Sequence, residues 1–438
     1  MHIDYGEILR REITPALGCT EPMAVSLAVA RAAETAGRPI ERVSVQVSRN
    51  ILKNAMNVGI PGTDMVGLDI AAALAAIGGD SAAGLEVLGE IQEHHIAAAR
   101  DLLRQERVDI ALAQTDRLLY IRAVCHGERG CGEVVIENTH TGIASVRLNG
   151  QELAEPVGQA DFQAAARSDQ AMTLAGIYRF SIETPPEDLA FLLQAVEMNE
   201  RIAEEGISNG SGAAIGKHLL ASYTGGTSPG ELGVYAAAYA AAASDARMAD
   251  SGLPVMTTAG SGNQGLTATL PVAVLAKRLN AGQDAMLQAL ALSQLVTIFV
   301  KRHIGSLSAL CGCAVAASIG TACGITLLYG GTYGQVEAAV INMVADISGM
   351  ICDGAKAGCA LKIATAVSCA MQCAQLALGG VVISGRDGIV CRDADSTIAN
   401  LGRLANPGMV GTDRVILDMM LAKGPGDHAP VPVGSGIA

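Results

Sequence analysis

Apolar and polar positions along this chain follow two periods, and the change between them divides it. Residues 3–16 read as a short amphipathic helix broken at Pro15, and M-A-V-S-L-A-V-A-R-A-A-E continues as an Ala-rich helix. From Arg38 the pattern changes: Val43, Val45 and Val47 alternate with polar residues, as in a strand. S-R-N-I-L-K-N-A-M-N-V-G-I-P-G follows as a polar loop, and helices are expected near 68–77 and over 83–103. Strands are expected at 109–113, 118–124, 133–136 and 144–148, with Asn149 and Gly150 as a hairpin-type turn. Beyond residue 156 nothing alternates. There Thr184-Pro185-Pro186 opens a helix with Leu189, Leu192, Leu193 and Val196 on one face, ending at Gly206. The fold class expected is α+β: a mostly α-helical domain made of 1–38 and 156–438, with a smaller α/β-sandwich domain, 39–155, inserted into it.

Composition narrows the architecture. Hydrophobic residues make up 50% of the 438 and charged ones only 17%, so surface is scarce relative to core. That suits helices buried on several sides, or a homo-oligomer. With no Trp and four Phe, packing falls to Ala, Val, Ile and Leu, and small-residue helices should approach closely. A net charge of −13 without any basic run makes nucleic acid and anionic membrane poor partners. The segment 304–336 carries no charge, but its glycines, Ser, Thr and Cys favour a buried helix pair over a membrane span. The start, M-H-I-D-Y-G-E, places Asp and Glu before any apolar run, unlike a signal peptide. Together with eleven cysteines, an odd number, this points to reduced thiols in the cytoplasm.

Candidate chemistry concentrates in 346–362, D-I-S-G-M-I-C-D-G-A-K-A-G-C-A-L-K. Cys352 and Cys359 are spaced C-x6-C across a loop holding Asp353, Gly354 and Gly358, between two helix-like segments. Glycines let backbone amides turn toward a sulfur ligand. Cys311 lies 41 residues before Cys352, in S-L-S-A-L-C-G-C. Three thiolates from separated segments suit a metal cluster with one site open; the alternative is that they are small buried hydrophobes. Cys19 falls at a helix N-terminus, before Thr20 as N-cap and Pro22 in the first turn, where the dipole would favour a thiolate.

Gly260, Gly262 and Gly265 satisfy G-x-G-x-x-G, but no strand or βαβ unit surrounds them and Pro271 interrupts the following helix. A-G-S-G-N-Q-G therefore reads as an anion-cradling turn, with Asn263 and Gln264 as donors and Ser261 beside them. His140 in N-T-H-T-G, and Asn50, Lys53 and Asn54 in the polar loop, complete the substrate-binding candidates. His94 and His95, mid-helix, read as solvated, and Cys369 and Cys373, on one face of an apolar helix, read as core.

Six motifs in order, A-L-G-C-T-E-P, I-P-G-T-D-M-V-G, A-S-D-A-R-M, G-S-G-N-Q-G, L-S-A-L-C and G-M-I-C-D-G-A-K-A-G-C-A-L-K, resemble the iron–sulfur L-cysteine desulfidase, serine dehydratase-like family. That family is related to the α chain of iron–sulfur L-serine dehydratases, and the resemblance runs from about residue 8 to residue 420. It implies a [4Fe–4S] cluster held by Cys311, Cys352 and Cys359, with the fourth iron free for substrate. It implies Cys19 as the proton-abstracting base or a transient cluster ligand, and the inserted module as the substrate-binding domain. The family relatives' Ser-rich, His-containing substrate motif is replaced here by S-R-N-I-L-K-N, and Cys313 stands beside Cys311. The implied activity is lyase chemistry without pyridoxal phosphate: β-elimination from L-cysteine or, alternatively, L-serine. A non-catalytic iron–sulfur binding protein and a membrane transporter are the competing readings.

Overall fold

The computed structural model describes residues 3–56, 58–60, 62–63, 65–153, 171–305 and 307–423, and in them the change of period is a change of architecture. The strands are β1 (Pro15–Ala16), β2 (Ile40–Val47), β3 (Val108–Leu112), β4 (Tyr120–Gly127), β5 (Gly130–Glu137), β6 (Ile143–Leu148), β7 (Gln151–Glu152) and β8 (Val255–Met256). β2 to β7 form one sheet in the order β3-β2-β4-β5-β6-β7; β3 runs parallel to β2 and every other pair is antiparallel. Val43, Val45 and Val47 are buried together because the pleat sends alternate side chains to one face. Asn149 and Gly150 adopt φ of 50° and 81°, the left-handed pair a two-residue hairpin requires, and join β6 to β7.

Around and between the strands lie α1 (Tyr5–Glu12), α2 (Thr20–Ala36), α3 (Arg49–Ala55), α4 (Leu68–Gly78) and α5 (Glu93–Arg104). The helical body follows: α6 (Leu174–Glu183), α7 (Pro186–Leu189), α8 (Leu192–Asn209), α9 (Ile215–Ala221), α10 (Pro229–Met248) and α11 (Gly262–Leu279). It continues with α12 (Gly282–Ile304), α13 (Ala316–Leu328), α14 (Tyr333–Ile347), α15 (Gly358–Leu378), α16 (Ala394–Arg403) and α17 (Val410–Leu421). Backbones approach closely, as the small-residue composition requires. A Cβ on Gly206 of α8 would stand 2.0 Å from the Ala242 carbonyl oxygen of α10. α12 and α15 are long and apolar enough to cross a membrane, yet 78% and 56% of their apolar windows are buried in the protein.

The polar segment after β2 is a helix, not a loop. Ser48 stands at the N-cap of α3 with its hydroxyl donated to Leu118 O at 2.8 Å, and burial of Ile51 and Ala55, one turn apart, outweighs the polar residues between them. The helix expected over 83–103 begins only at Glu93, because Gly84 at φ 58° breaks the turn before it. His94 and His95 thus lie in a first turn, not mid-helix, and His95 Nδ1 accepts the Gln92 N–H at 3.1 Å. Nor is pairing confined to the inserted segment. β1 and β8 form an antiparallel two-residue ladder too short to leave an alternating pattern.

Pro271 does not interrupt α11, which runs through it. Proline has no N–H for the Thr267 carbonyl four residues back, and the Thr321 hydroxyl of α13 reaches that oxygen at 2.7 Å.

The described residues bury two hydrophobic clusters. One lies among the sheet, α2, α3 and α4; the other runs through α1 and the helices from α6 to α16. α2 packs on β4 and β5, so the sheet's core begins at Ala16, ahead of the boundary drawn at residue 38. An ion pair ties the sheet region to the C-terminal helix, which lies outside both clusters: Lys53 Nζ of α3 lies 2.6 Å from Asp413 Oδ1 of α17, with Asn50 Nδ2 donating to Asp413 Oδ2 at 2.8 Å. Lys53 also donates to Cys352 O at 3.0 Å.

Two stability measurements test this account. Thr321→Val leaves the Thr267 carbonyl buried without its donor and should cost about 1–3 kcal/mol in denaturant unfolding. Asp413→Ala strands a buried ammonium and should cost about 3–5 kcal/mol, whereas Lys53→Met with Asp413→Leu should recover most of that loss.

Candidate active site

The cysteines meet through a small piece of main-chain pairing. Leu310 and Ile351 form an isolated antiparallel bridge, flanked by Cys311 N–H to Met350 O (2.9 Å) and Cys352 N–H to Ala309 O (2.7 Å). This lays the loop before α13 against the loop between α14 and α15. Cys311 and Cys352 lie near enough for each sulfur to act on the other's thiol, and Cys359, in the first turn of α15, is near enough for charge on it to act on Cys311 and for Cys352 to act on it. Cys313 adds a further sulfur 3.4 Å from Cys311.

Amides turn onto these sulfurs as the glycines suggested: Lys356 N–H onto Cys359 at 3.4 Å, and the Gly354 amide onto Cys352. Gly354 has φ 94° and sits so close to α3 that a Cβ would stand 2.6 Å from Lys53 O. Contact with Cys313, then burial, raises the Cys311 thiol; contact with Cys311, then burial, raises Cys352; burial raises Cys359. Each sulfur in this setting keeps its proton or needs a cation. Burial lowers the ammonium groups of Lys301 and Lys356, opposed at Lys301 by Cys352, Glu21 and Cys311, and at Lys356 by Cys19 and Cys359.

Cys19 arrives from the sheet side. It is the N-cap of α2, but its side chain does not cap; the thiol donates to Glu21 Oε2 at 3.3 Å. Burial, then the Glu21 carboxylate, pushes the thiol up, so the thiolate expected from the helix dipole is not the resting form. Glu21 Oε1 accepts Asn54 Nδ2 at 2.8 Å and lies 3.9 Å from His140 Nε2. Burial pushes the Glu21 carboxyl up, but His140, Asn54 and Cys19 outweigh it and hold Glu21 below the ordinary carboxylate value. Burial pushes His140 down against the pull of Glu21. His140 rests on Gly260, whose missing Cβ would stand 3.1 Å from Nδ1. Among the described residues, His140 Nε2 and Asn54 Oδ1 are both buried without a hydrogen-bond partner.

Cys19, Asn54, His140, Cys311, Cys352 and Cys359 therefore share one seam between the two cores, with Cys19 and Cys359 flanking the same Lys356 ammonium. The other candidates stand just behind it. Asn50 and Lys53 turn to Asp413. Asn263 Oδ1 accepts Arg247 Nη1 at 3.0 Å, and Arg247 Nη2 donates to Gly18 O at 2.6 Å, anchoring the residue before Cys19. Gln264 Nε2 donates to Thr258 O at 2.7 Å, and Ser261 is the N-cap of α11 without a side-chain cap bond.

Sequence reasoning missed Glu21, Arg247, Lys301, Lys356 and Asp413. Glu21, Arg247 and Lys356 lie inside the quoted motifs A-L-G-C-T-E-P, A-S-D-A-R-M and D-G-A-K-A-G-C; Lys301 shows itself only as a charge within an apolar helix. Asp413 carries no signal in the sequence.

The chain is similar to known proteins over nearly its whole length. The chain is 43% identical over 421 residues to a "UPF0597 protein" of Oleidesulfovibrio alaskensis, covering 96% of this chain and 98% of that one. It is 42% identical over 419 residues to a UPF0597 protein of Bacteroides fragilis (95% and 97% covered) and 38% identical over 419 residues to one of Clostridium perfringens (96% and 98%). A family model described as "Serine dehydratase alpha chain" matches residues 82–418, a span that includes His140, Lys301 and the three cradle cysteines and begins after Cys19, Glu21 and Asn54. The chain belongs to the serine dehydratase alpha chain family.

Proposed function

We propose that this protein is an iron–sulfur amino-acid lyase that converts L-cysteine to pyruvate, ammonium and hydrogen sulfide. The observation that carries this reading is the seam, where Cys311, Cys352 and Cys359 from the helical side face Cys19, Glu21 and His140 from the sheet side. The cradle suits a [4Fe–4S] cluster: its sulfurs are clustered, amides are turned onto two of them, and an ammonium lies in their field. Cys311, Cys352 and Cys359 would hold the cluster, and its open iron would supply a Lewis acid for the departing sulfur.

The remaining tasks fall to the chain itself. Removing the substrate's α-proton requires a base, and the Cys19–Glu21 pair offers one. Glu21 is held ionised and accepts the thiol proton while the Cys19 sulfur takes the α-proton, so the pair ends with one proton more. Lys301 Nζ has no hydrogen-bond partner among the described residues and is placed for the substrate carboxylate. Asn54 Oδ1 and His140 Nε2, likewise without partners, suit the substrate's amino group. Lys53, Asn50 and Asn263 act as positioning residues through Cys352, Asp413 and Arg247. Loss of the α-proton and of the β-sulfur leaves an enamine, which becomes an imine and is hydrolysed to pyruvate and ammonium.

The family description favours L-serine as the second reading. Sulfur's affinity for iron favours L-cysteine. Eleven free cysteines, none paired, accord with a reducing compartment such as the cytoplasm.

Anaerobically prepared protein should be brown and carry about four irons per chain. Cys311→Ala, Cys352→Ala and Cys359→Ala should each lose iron and sulfide on analysis; retention in all three would sink the cradle. Cys19→Ser should keep its iron but lose about 10²–10⁴-fold in kcat, assayed as pyruvate and sulfide from L-cysteine beside L-serine. Normal turnover in that variant would remove Cys19 from the reaction. Because Glu21 is held below the ordinary carboxylate range, wild-type kcat/KM should persist into mildly acidic pH. Glu21→Gln leaves the raised Cys19 thiol as sole base, and the acid limb of the profile should move to alkaline pH.

A further inference from the structure

The helix pair α14–α15 carries a second group of donor atoms that the proposed reaction does not use. Asp346, in the last turn of α14, and Cys369 and Cys373, one turn apart on α15, place a carboxylate oxygen and two sulfurs within 4.8 Å of one another. Cys369 Sγ lies 3.0 Å from Asp346 Oδ2, 3.8 Å from Cys373 Sγ and 3.6 Å from Met343 Sδ. An i,i+3 pair on one helix, Met343 and Asp346, thus faces an i,i+4 pair on its neighbour. The three sulfur residues are buried, while Asp346 is exposed and leaves the group open to solvent at one edge.

This group is separate from the cradle. Cys369 lies ten positions beyond Cys359 on a continuous helix, a rise of about 15 Å. Hydrophobic packing accounts for two cysteines in an apolar helix, but not for a carboxylate held against them. Among the described residues the Cys369 thiol is the one hydrogen-bond partner of Asp346, and no basic side chain pairs with it.

We propose that Asp346, Cys369 and Cys373 bind a thiophilic d¹⁰ metal ion, Zn²⁺ or Cu⁺, with the Met343 thioether available as a fourth donor. Geometry supports the assignment. A tetrahedral ion with metal–sulfur bonds of about 2.3 Å sets its two sulfurs about 3.8 Å apart, and the Cys369 and Cys373 sulfurs are 3.8 Å apart. The carboxylate would draw back about half an ångström to reach bonding distance. Binding forms two metal–thiolate bonds, and the two thiol protons leave to solvent. Thiolate and thioether donors select this class of ion over hard cations such as Mg²⁺. The ion would tie α14 to α15, the helix whose first turn carries Cys359.

The test counts metal on the full chain. Protein prepared anaerobically is equilibrated with Zn²⁺ or, in a parallel arm, with Cu⁺, dialysed, and analysed for that metal beside any iron. Wild type should retain about one more ion per chain than Cys373→Ser or Asp346→Asn. Iron content and far-UV circular dichroism should be the same in all three, and Cys131→Ser, which changes a cysteine of β5 in the sheet, should retain the ion. The added ion should raise Tm in wild type and in neither site variant. Asp346 lies at an exposed rim, so Asp346→Asn keeps the core intact if Cys373→Ser does not fold. Retention that survives Met343→Leu identifies Zn²⁺ as the occupant; Cu⁺ retention lost in that variant identifies Cu⁺. Equal metal content in wild type and Asp346→Asn, or none in wild type, overturns the proposal.

Discussion

The constraint on which this structure depends is charge compensation in the seam between its two cores. Five buried or half-buried thiols, a carboxylate, an imidazole and two ammonium groups gather where the helical cluster, which includes Cys311 and Cys313, meets the sheet side. A buried thiolate or carboxylate is costly unless a cation or hydrogen-bond donors face it. Lys301 faces Cys311, Cys313, Cys352 and Glu21; Lys356 faces Cys19, Cys352 and Cys359. Each ammonium therefore bears on sulfurs from segments far apart in the chain, and the seam is stable only when both sides are docked.

Docking rests on polar contacts rather than on a broad apolar interface alone. Lys53 reaches Asp413 and the Cys352 carbonyl from the sheet side, and Lys356 donates in return to the Met56 carbonyl. Arg247 joins the end of α10 to Gly18 and Asn263. These contacts fix Cys19 from one direction and the cradle loop from the other. The glycines at 260 and 354 leave room for His140 and for α3 at the closest points.

Much of the fold was legible because period follows burial. The valines of β2 alternate because one face of the sheet is covered, and the Asn149–Gly150 turn declares itself by residue type. Misreadings came where tertiary contacts overrode local pattern. α3 looks like a loop until Ile51 and Ala55 are seen to be buried, and α11 looks broken until Thr321 is found on the Thr267 carbonyl. α2 reads from its pattern as part of the helical domain, yet its contacts with β4 and β5 place it in the sheet's core.

By itself the sequence determined the class of fold and the gathering of chemistry into Gly- and Cys-bearing motifs, because residue type and spacing are local properties. Only the tertiary structure decided which charges belong to the site. Asn50 and Lys53 look like ligand-binding residues in a polar stretch, yet face Asp413, 363 and 360 positions away. Glu21 sits two residues from Cys19 in plain view, but its role follows from Asn54 and His140 closing on it. A protonation state depends on burial and on neighbours within a few ångströms, and neither is written in the order of residues along the chain.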